Sequence, residues 1–96
     1  MTLVWTRLAA ADRREIRAWI AQDNPAAALH LDQRLSEAAQ HLVEHPDLGR
    51  PGRVPGTREL VIHQNYILVY DSGGDRVRVL RVLHAARQWP AGRIGE

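Results

Sequence analysis

The order of apolar and polar residues in the first half of the chain predicts one short strand followed by two helices. Residues 1–6 alternate like an opening strand, whereas residues 8–45 place apolar side chains three and four positions apart. Asn24 and Pro25 divide the helical stretch, because asparagine caps helices well and proline is favoured in a first turn. The pattern therefore predicts an antiparallel helical hairpin.

The two predicted helices have different faces. The first, residues 8–22, has an apolar side made of Leu8, Ile16, Trp19 and Ile20. Three basic residues lie on or near its other side: Arg13, Arg14 and Arg17. The second helix, residues 25–45, is roughly 30 Å long at 1.5 Å per residue. Its continuous apolar stripe consists of Ala28, Leu31, Leu35, Ala38 and Leu42.

The pattern in the second half of the chain predicts β-structure. A glycine- and proline-rich loop, residues 49–56, precedes strand-like runs at 58–63, 66–70 and 76–84, and a tail covers 85–96. The order β-α-α-β-β-β predicts the α+β class, with the N-terminal helical hairpin packed on a small, mainly antiparallel sheet. We expect residues 1–96 to form one domain, with a three-strand meander over 58–84.

Composition narrows the chemistry. The chain has 96 residues, no cysteine and a net charge of +2, and all thirteen basic residues are arginine. Lysine-dependent chemistry and phosphate loops of the Walker type are therefore excluded, although codon bias alone also explains such a preference. No apolar run reaches the roughly eighteen residues of a membrane span, and the first residues do not resemble a signal peptide. We expect a cytoplasmic protein without a cofactor.

One motif has metal-ligand spacing. His41, Glu44 and His45 match the H-x-x-E-H pattern of some zinc proteases. However, His45 directly precedes Pro46, where a helix frays, and a catalytic zinc site needs a third ligand in a deep cleft. We interpret these histidines as a solvated helix end and expect no metal site.

The last predicted strand is the best candidate for chemistry. In simple alternation, Val77, Val79, Arg81 and Leu83 share one face of it, while the other face carries Arg78, Leu80, Val82 and His84. Arg81 therefore requires a carboxylate partner or a polar cleft. His84 is able to act as an acid or a base.

A ribonuclease site is one hypothesis for these residues. Arg58, Glu59, Arg81 and His84 together would supply a base, an acid and cations for in-line cleavage of RNA. The sequence leaves open whether these side chains converge. In the preceding loop, Arg50 and Arg53 are candidates for contacts with phosphate or an acidic partner, or for simple solvation.

Nearly the whole chain resembles the RelE/ParE superfamily of toxins. The resemblance rests on five segments in matching order: DNPAAA at 23–28, HPDLGRPG at 45–52, REL at 58–60, YILVY at 66–70 and VLRVLHAARQWP at 79–90. It implies a toxin that is neutralised by an antitoxin encoded beside it. RelE-type members cleave messenger RNA on the ribosome, whereas ParE-type members inhibit DNA gyrase.

Several departures favour the ParE branch. The lysines of many RelE-type ribonucleases are missing, and no tyrosine follows His84, where the tail has Trp89 instead. The positions of Arg58, Arg81 and His84 favour the RelE branch. We therefore predict a ParE-like gyrase inhibitor, with a RelE-like ribosome-dependent endoribonuclease as the alternative and a decayed toxin that only binds antitoxin as a third reading.

The same resemblance implies a ParD-like antitoxin that lays a helix in a groove beside Trp19 and adds a strand at a sheet edge. Candidate contacts for the target or the antitoxin are arginines and aromatic residues on the helix, the loop and the chain end. They comprise Arg13, Arg14, Arg17, Trp19, Arg50, Arg53, Arg81, His84, Arg87 and Trp89.

Overall fold

The computed structural model describes residues 1–63 and 65–84. Two helices pack on a five-stranded sheet with strand order β1-β5-β4-β3-β2. The elements are β1 (Thr2–Trp5), α1 (Arg7–Ala21), α2 (Pro25–Glu44), β2 (Arg50–Pro51), β3 (Arg58–His63), β4 (Tyr66–Gly73) and β5 (Arg76–His84). The predicted α+β class and the hairpin-on-sheet arrangement are confirmed.

Both helices begin at side-chain caps that the sequence contains. The Thr6 hydroxyl accepts a hydrogen bond from the Ala9 N–H at 3.2 Å, and the Asn24 side chain accepts one from the Ala27 N–H at 3.0 Å. Pro25 occupies the first turn of α2. These caps satisfy backbone donors that a helix start otherwise leaves open, and they fix where each helix begins.

The sheet is antiparallel except at one edge. There β1 runs parallel to β5, with Thr2 opposite Arg76 and Trp5 opposite Val79. At the other edge, Arg50 lies opposite Glu59 in the short strand β2. The prediction that residues 49–56 are only a loop is therefore wrong at its start, because two of these residues pair with β3.

A bulge in β5 changes which side chains share a face. Tyr70 pairs with Val79 but Val69 pairs with Arg81, so Leu80 is an extra residue. The predicted grouping of Val77, Val79, Arg81 and Leu83 is therefore wrong. Beyond the bulge, Val82 joins Val77 and Val79 in the main core, whereas Leu83 packs in a second cluster with Ile67 and Val69.

The main core lies between the helical hairpin and the sheet. Helix α2 supplies Leu31, Leu35, Ala39 and Leu42, and the sheet supplies Leu68, Tyr70, Val77, Val79 and Val82. Ala38, which the sequence placed in the apolar stripe, is only partly buried, and Ala39 takes the buried position. In α1, Ala9 is buried and Ile16 and Ile20 are partly buried. Leu8 and Trp19, grouped with them from the sequence, are instead 60% and 70% exposed. The buried face of α1 is centred on Ala9, Asp12, Ile16 and Ile20, which are three and four positions apart. Leu8 and Trp19 fall at the margin of that face, and this is why they stay exposed.

No helix in the described parts of the chain is both long and apolar enough to cross a membrane.

Candidate functional site

A buried ion pair joins α1 to the end of β5. Arg81 donates to both Asp12 carboxylate oxygens, at 2.8 Å and 3.1 Å, and the Val82 N–H donates to the same carboxylate at 2.9 Å. The hydrogen bond from Arg81 to Asp12 is the main reason that the pKa of Arg81 is raised above the ordinary value for arginine. Asp12 thus caps the edge of β5 beyond the point where β1 ends.

Of the two environments predicted for Arg81, a carboxylate partner or a polar cleft, the structure shows the carboxylate partner. The sequence analysis did not identify Asp12 as that partner. A signal existed, because Asp12 lies between Ala9 and Ile16 at helical spacing and so falls on the buried face of α1. A carboxylate within an apolar stripe requires a cation or hydrogen-bond donors.

Beside this ion pair lies an open groove between α1 and the adjoining ends of β4 and β5. Its volume is about 430 Å³, and its lining residues are Asp12, Glu15, Ile16, Trp19, Tyr66, Val82 and His84. The indole of Trp19 stands at this groove largely exposed. An exposed tryptophan beside a concave, mixed-polarity surface is typical of a protein contact.

His84 lies at this groove rather than in a catalytic cluster. Its ring meets Tyr66 edge to face, with ring centroids 5.3 Å apart, and it pairs with Tyr66 across the sheet. Both rings therefore contribute to the floor and rim of the same surface.

Among the described residues, Glu59 is the second buried carboxylate, and it holds the loop around β2. Only 3% of it is exposed. It accepts from the Arg53 backbone N–H at 3.1 Å and from Arg50 at 3.4 Å, and the Arg53 guanidinium Nε is 3.9 Å away. Neighbouring Arg58 instead donates to the Gly49 carbonyl at 2.7 Å and lies 3.5 Å from the Asp47 carboxylate.

The structure does not bring the four candidate ribonuclease residues together. Arg58 lies opposite Tyr70 and His84 lies opposite Tyr66. The backbones of Arg58 and His84 are therefore roughly 16 Å apart, because they are offset by four residues along the strands and by two strand spacings across the sheet. Glu59 and Arg81 lie on either side of Val69, but each is bonded to other partners.

The basic side of α1 is also partly structural. Arg13 forms a two-point hydrogen bond with Asp32 of α2 at 3.0 Å and stacks over Trp5 at 4.3 Å, and Arg17 is 3.4 Å from the same carboxylate. These contacts tie the two helices together. Arg14 is exposed, and within residues 1–63 and 65–84 it has no ion-pair partner.

Tyr70 was not selected from the sequence, yet it fixes the segment after α2. Its hydroxyl donates to the Pro46 carbonyl at 2.7 Å and accepts from the Gly49 N–H at 2.8 Å. Burial raises the pKa of Tyr70. Gly49 packs so closely that a Cβ there would lie 2.8 Å from the Tyr70 ring.

The H-x-x-E-H segment lies at the C-terminal end of α2. Glu44 is the last residue of the helix, and the rings of His41 and His45 have centroids 4.7 Å apart. Among the residues that the structure describes, no group of three or more histidine, cysteine or acidic side chains has the arrangement of a metal site. Two other predicted contact residues, Arg87 and Trp89, lie outside the described residues.

Comparison with known families adds independent information. Residues 3–89 match the family described as the ParE toxin of the type II toxin–antitoxin system parDE. This match covers both helices, the described strands of the sheet apart from Thr2, and the buried carboxylates of Asp12 and Glu59.

Individual relatives agree with the family match. The chain is 44% identical over 87 residues to Y4kP, a presumed toxin of Sinorhizobium fredii, with 90% of each chain covered. It is 40% identical over 85 residues to toxin RelE2 of Caulobacter vibrioides, with 88% of this chain and 96% of the relative covered. The solved chromosomal ParDE system of P. aeruginosa contains a chain that is 32% identical and superimposes with a TM-score of 0.78. The match covers 88% of this chain and 95% of that one.

Proposed function

This chain belongs to the ParE toxin family and is a toxin of a type II toxin–antitoxin system, and we propose that it acts in the cytoplasm by docking on DNA gyrase and inhibiting it. A cognate ParD-like antitoxin neutralises it by covering its contact surfaces.

The observation that carries the proposal is the separation of the four groups that RNA cleavage would require. Glu59 is buried and bonded by the β2 loop, Arg81 is bonded to Asp12, and Arg58 is bonded to backbone carbonyls. A general base must reach the proton that it removes, and the cations must reach the reacting phosphate. Groups held apart in this way support a binding inhibitor better than an endoribonuclease.

The groove beside Trp19 supports the antitoxin part of the proposal. It combines an exposed indole with partly buried Ile16 and with the carboxylate of Glu15. An amphipathic helix buries its apolar side in such a groove and aims a basic residue at the carboxylate. The antitoxin then covers α1 and the end of β5 together.

The test is a supercoiling assay with purified gyrase, relaxed plasmid and graded amounts of the free toxin. We expect blocked supercoiling or trapped cleaved DNA, and reversal on addition of the cognate antitoxin. The companion variant is His84→Ala, which we expect to keep most of the inhibition because a docking residue does not transfer protons.

The rival outcome is equally specific. Unaffected gyrase, together with ribosome-dependent cleavage of messenger RNA that His84→Ala reduces by about a hundredfold or more, would replace the proposal with a RelE-type endoribonuclease. If neither gyrase nor messenger RNA is affected, while antitoxin binding persists, the chain has kept only its partner surface.

A further inference from the structure

The loop that carries Arg50 and Arg53 has a backbone conformation that is defined by hydrogen bonds. The Gly52 N–H donates to the Thr57 carbonyl at 2.8 Å, and the Thr57 hydroxyl donates to the Val54 carbonyl at 2.7 Å. The Tyr70 hydroxyl anchors the start of the loop at Gly49. These bonds fix the backbone from which both arginines project.

Glu59 holds the two guanidinium groups side by side. Arg50 approaches one oxygen of the carboxylate at 3.4 Å, and Arg53 approaches the other at 3.9 Å. The carboxylate is almost fully buried, whereas the arginine side chains are 57% and 48% exposed. The anion is therefore on the protein side of the pair, and the cations face outwards.

Within the residues that the structure describes, this arrangement leaves positive charge and hydrogen-bond donors unused. One carboxylate balances one of the two arginines, and Asp47 lies beside the third arginine of the region, Arg58. A guanidinium has five donors, and few of those on Arg50 and Arg53 are used in the contacts described. Planar donor groups presented in pairs are suited to phosphate oxygens.

We propose that Arg50 and Arg53, held by buried Glu59, form a binding site for the backbone phosphates of nucleic acid. Glu59 acts as a positioning residue, because it orients the two cations without touching the ligand. The site lies on the β2 edge, apart from the groove of Trp19, so it is separate from the surface assigned to the antitoxin. The site does not depend on gyrase inhibition, although it would allow the toxin to contact DNA held by that enzyme.

The experiment measures binding of the full-length toxin, without gyrase, to a labelled DNA duplex and to an RNA strand of equal length. Affinity is determined at several salt concentrations, because each phosphate contact adds about 0.9 to the slope of log affinity against log salt for duplex DNA and about 0.7 for a single strand. We expect Arg50→Gln and Arg53→Gln each to reduce the slope on duplex DNA by about 0.9, and the double variant by about 1.8.

Each single variant keeps one cation beside Glu59, so we expect the loop to fold in both. The single variants therefore test the proposal even if the double variant is unstable. The matched control replaces Arg7 and Arg76 by glutamine, which removes the same charge from exposed positions at the start of α1 and of β5. We expect this control to keep the slope of the parent chain. Thermal melting of each variant shows that binding is compared between folded proteins.

Either nucleic acid can supply the phosphates, and the two binding curves distinguish them. A reduced slope on duplex DNA or on RNA, limited to the loop variants, supports the site and identifies its source. An equal reduction in the loop variants and in the control with Arg7 and Arg76 replaced overturns the proposal, because net charge then explains the binding. Binding of neither nucleic acid overturns it as well. Gyrase is absent from this assay, so its outcome is independent of the supercoiling test.

Discussion

Replacing Asp12 by alanine is expected to lower the free energy of unfolding by about 3–5 kcal/mol, the range for breaking a buried ion pair from one side. The substitution removes the acceptor of two hydrogen bonds from Arg81 and of one from the Val82 N–H. The pair is mostly shielded from water, since the Arg81 and Asp12 side chains are 17% and 10% exposed. A guanidinium left without its partner in that position keeps its desolvation penalty.

The size of the effect follows from those contacts. Hydrogen bonds to charged groups contribute about 1.5–3 kcal/mol each, and bonds that share one carboxylate do not add fully. A domain of this size has a total stability of roughly 5–15 kcal/mol, so the loss would be a substantial part of it. Asp12→Asn is expected to lose less, because its amide oxygen still accepts from Val82 or Arg81.

The assay is urea unfolding followed by tryptophan fluorescence. Glu37→Ala is the matched control, because it removes a carboxylate from an exposed position of α2 and is expected to change stability by no more than about 0.5 kcal/mol. A double-mutant cycle with Arg81→Met isolates the coupling between the two side chains. A loss below about 1 kcal/mol for Asp12→Ala, or a coupling near zero, would refute the inference that this pair fixes α1 to β5.

Three further predictions concern other contacts. Tyr70→Phe is expected to cost about 1–3 kcal/mol, because the Pro46 carbonyl and the Gly49 N–H lose their partner. The pKa of Tyr70 is raised in the folded state, so its contribution to stability is fully present below the unfolded pKa of about 10 and is lost as pH rises through the folded value. Urea unfolding from pH 8 to 11 should therefore show a steeper decline in the free energy of unfolding for the parent chain than for Tyr70→Phe. Equal declines would contradict this. Gly49→Ala is expected to destabilise the fold in a thermal melt, since its Cβ would lie 2.9 Å from the Glu59 backbone oxygen as well as close to the Tyr70 ring; an unchanged melting temperature would mean that the loop shifts freely. Trp19→Ala is expected to change stability by no more than about 0.5 kcal/mol but to weaken antitoxin binding roughly thirtyfold, as for an aromatic hot spot. Calorimetric titration with the antitoxin measures the affinity. An unaltered affinity would show that Trp19 is not part of the interface.

The helical hairpin illustrates what short-range sequence information determines. Asn24, Pro25 and the regular apolar stripe of α2 act within a few residues of one another, so the cap, the first turn and the buried face could be predicted. The same holds for β4, whose first five residues are all buried, as expected for a central strand. The tertiary structure was needed for Trp19, because its exposure depends on how α1 is rotated against the sheet.

Elsewhere the tertiary structure decided the outcome. The bulge at Leu80 shifts the alternation of β5 by one residue, so Val82 enters the main core although simple alternation placed it opposite Val77 and Val79. The sequence alone predicted that Arg81 has a carboxylate partner or lines a polar cleft. Asp12 lies 69 positions away and contacts Arg81 only because α1 packs against the end of β5. Local preferences act over a few residues, whereas these contacts depend on the packing of distant elements. The sequence therefore determined the family, the helices and the need for a partner at Arg81, and the folded chain determined which carboxylate meets that need and which arginines remain facing outwards.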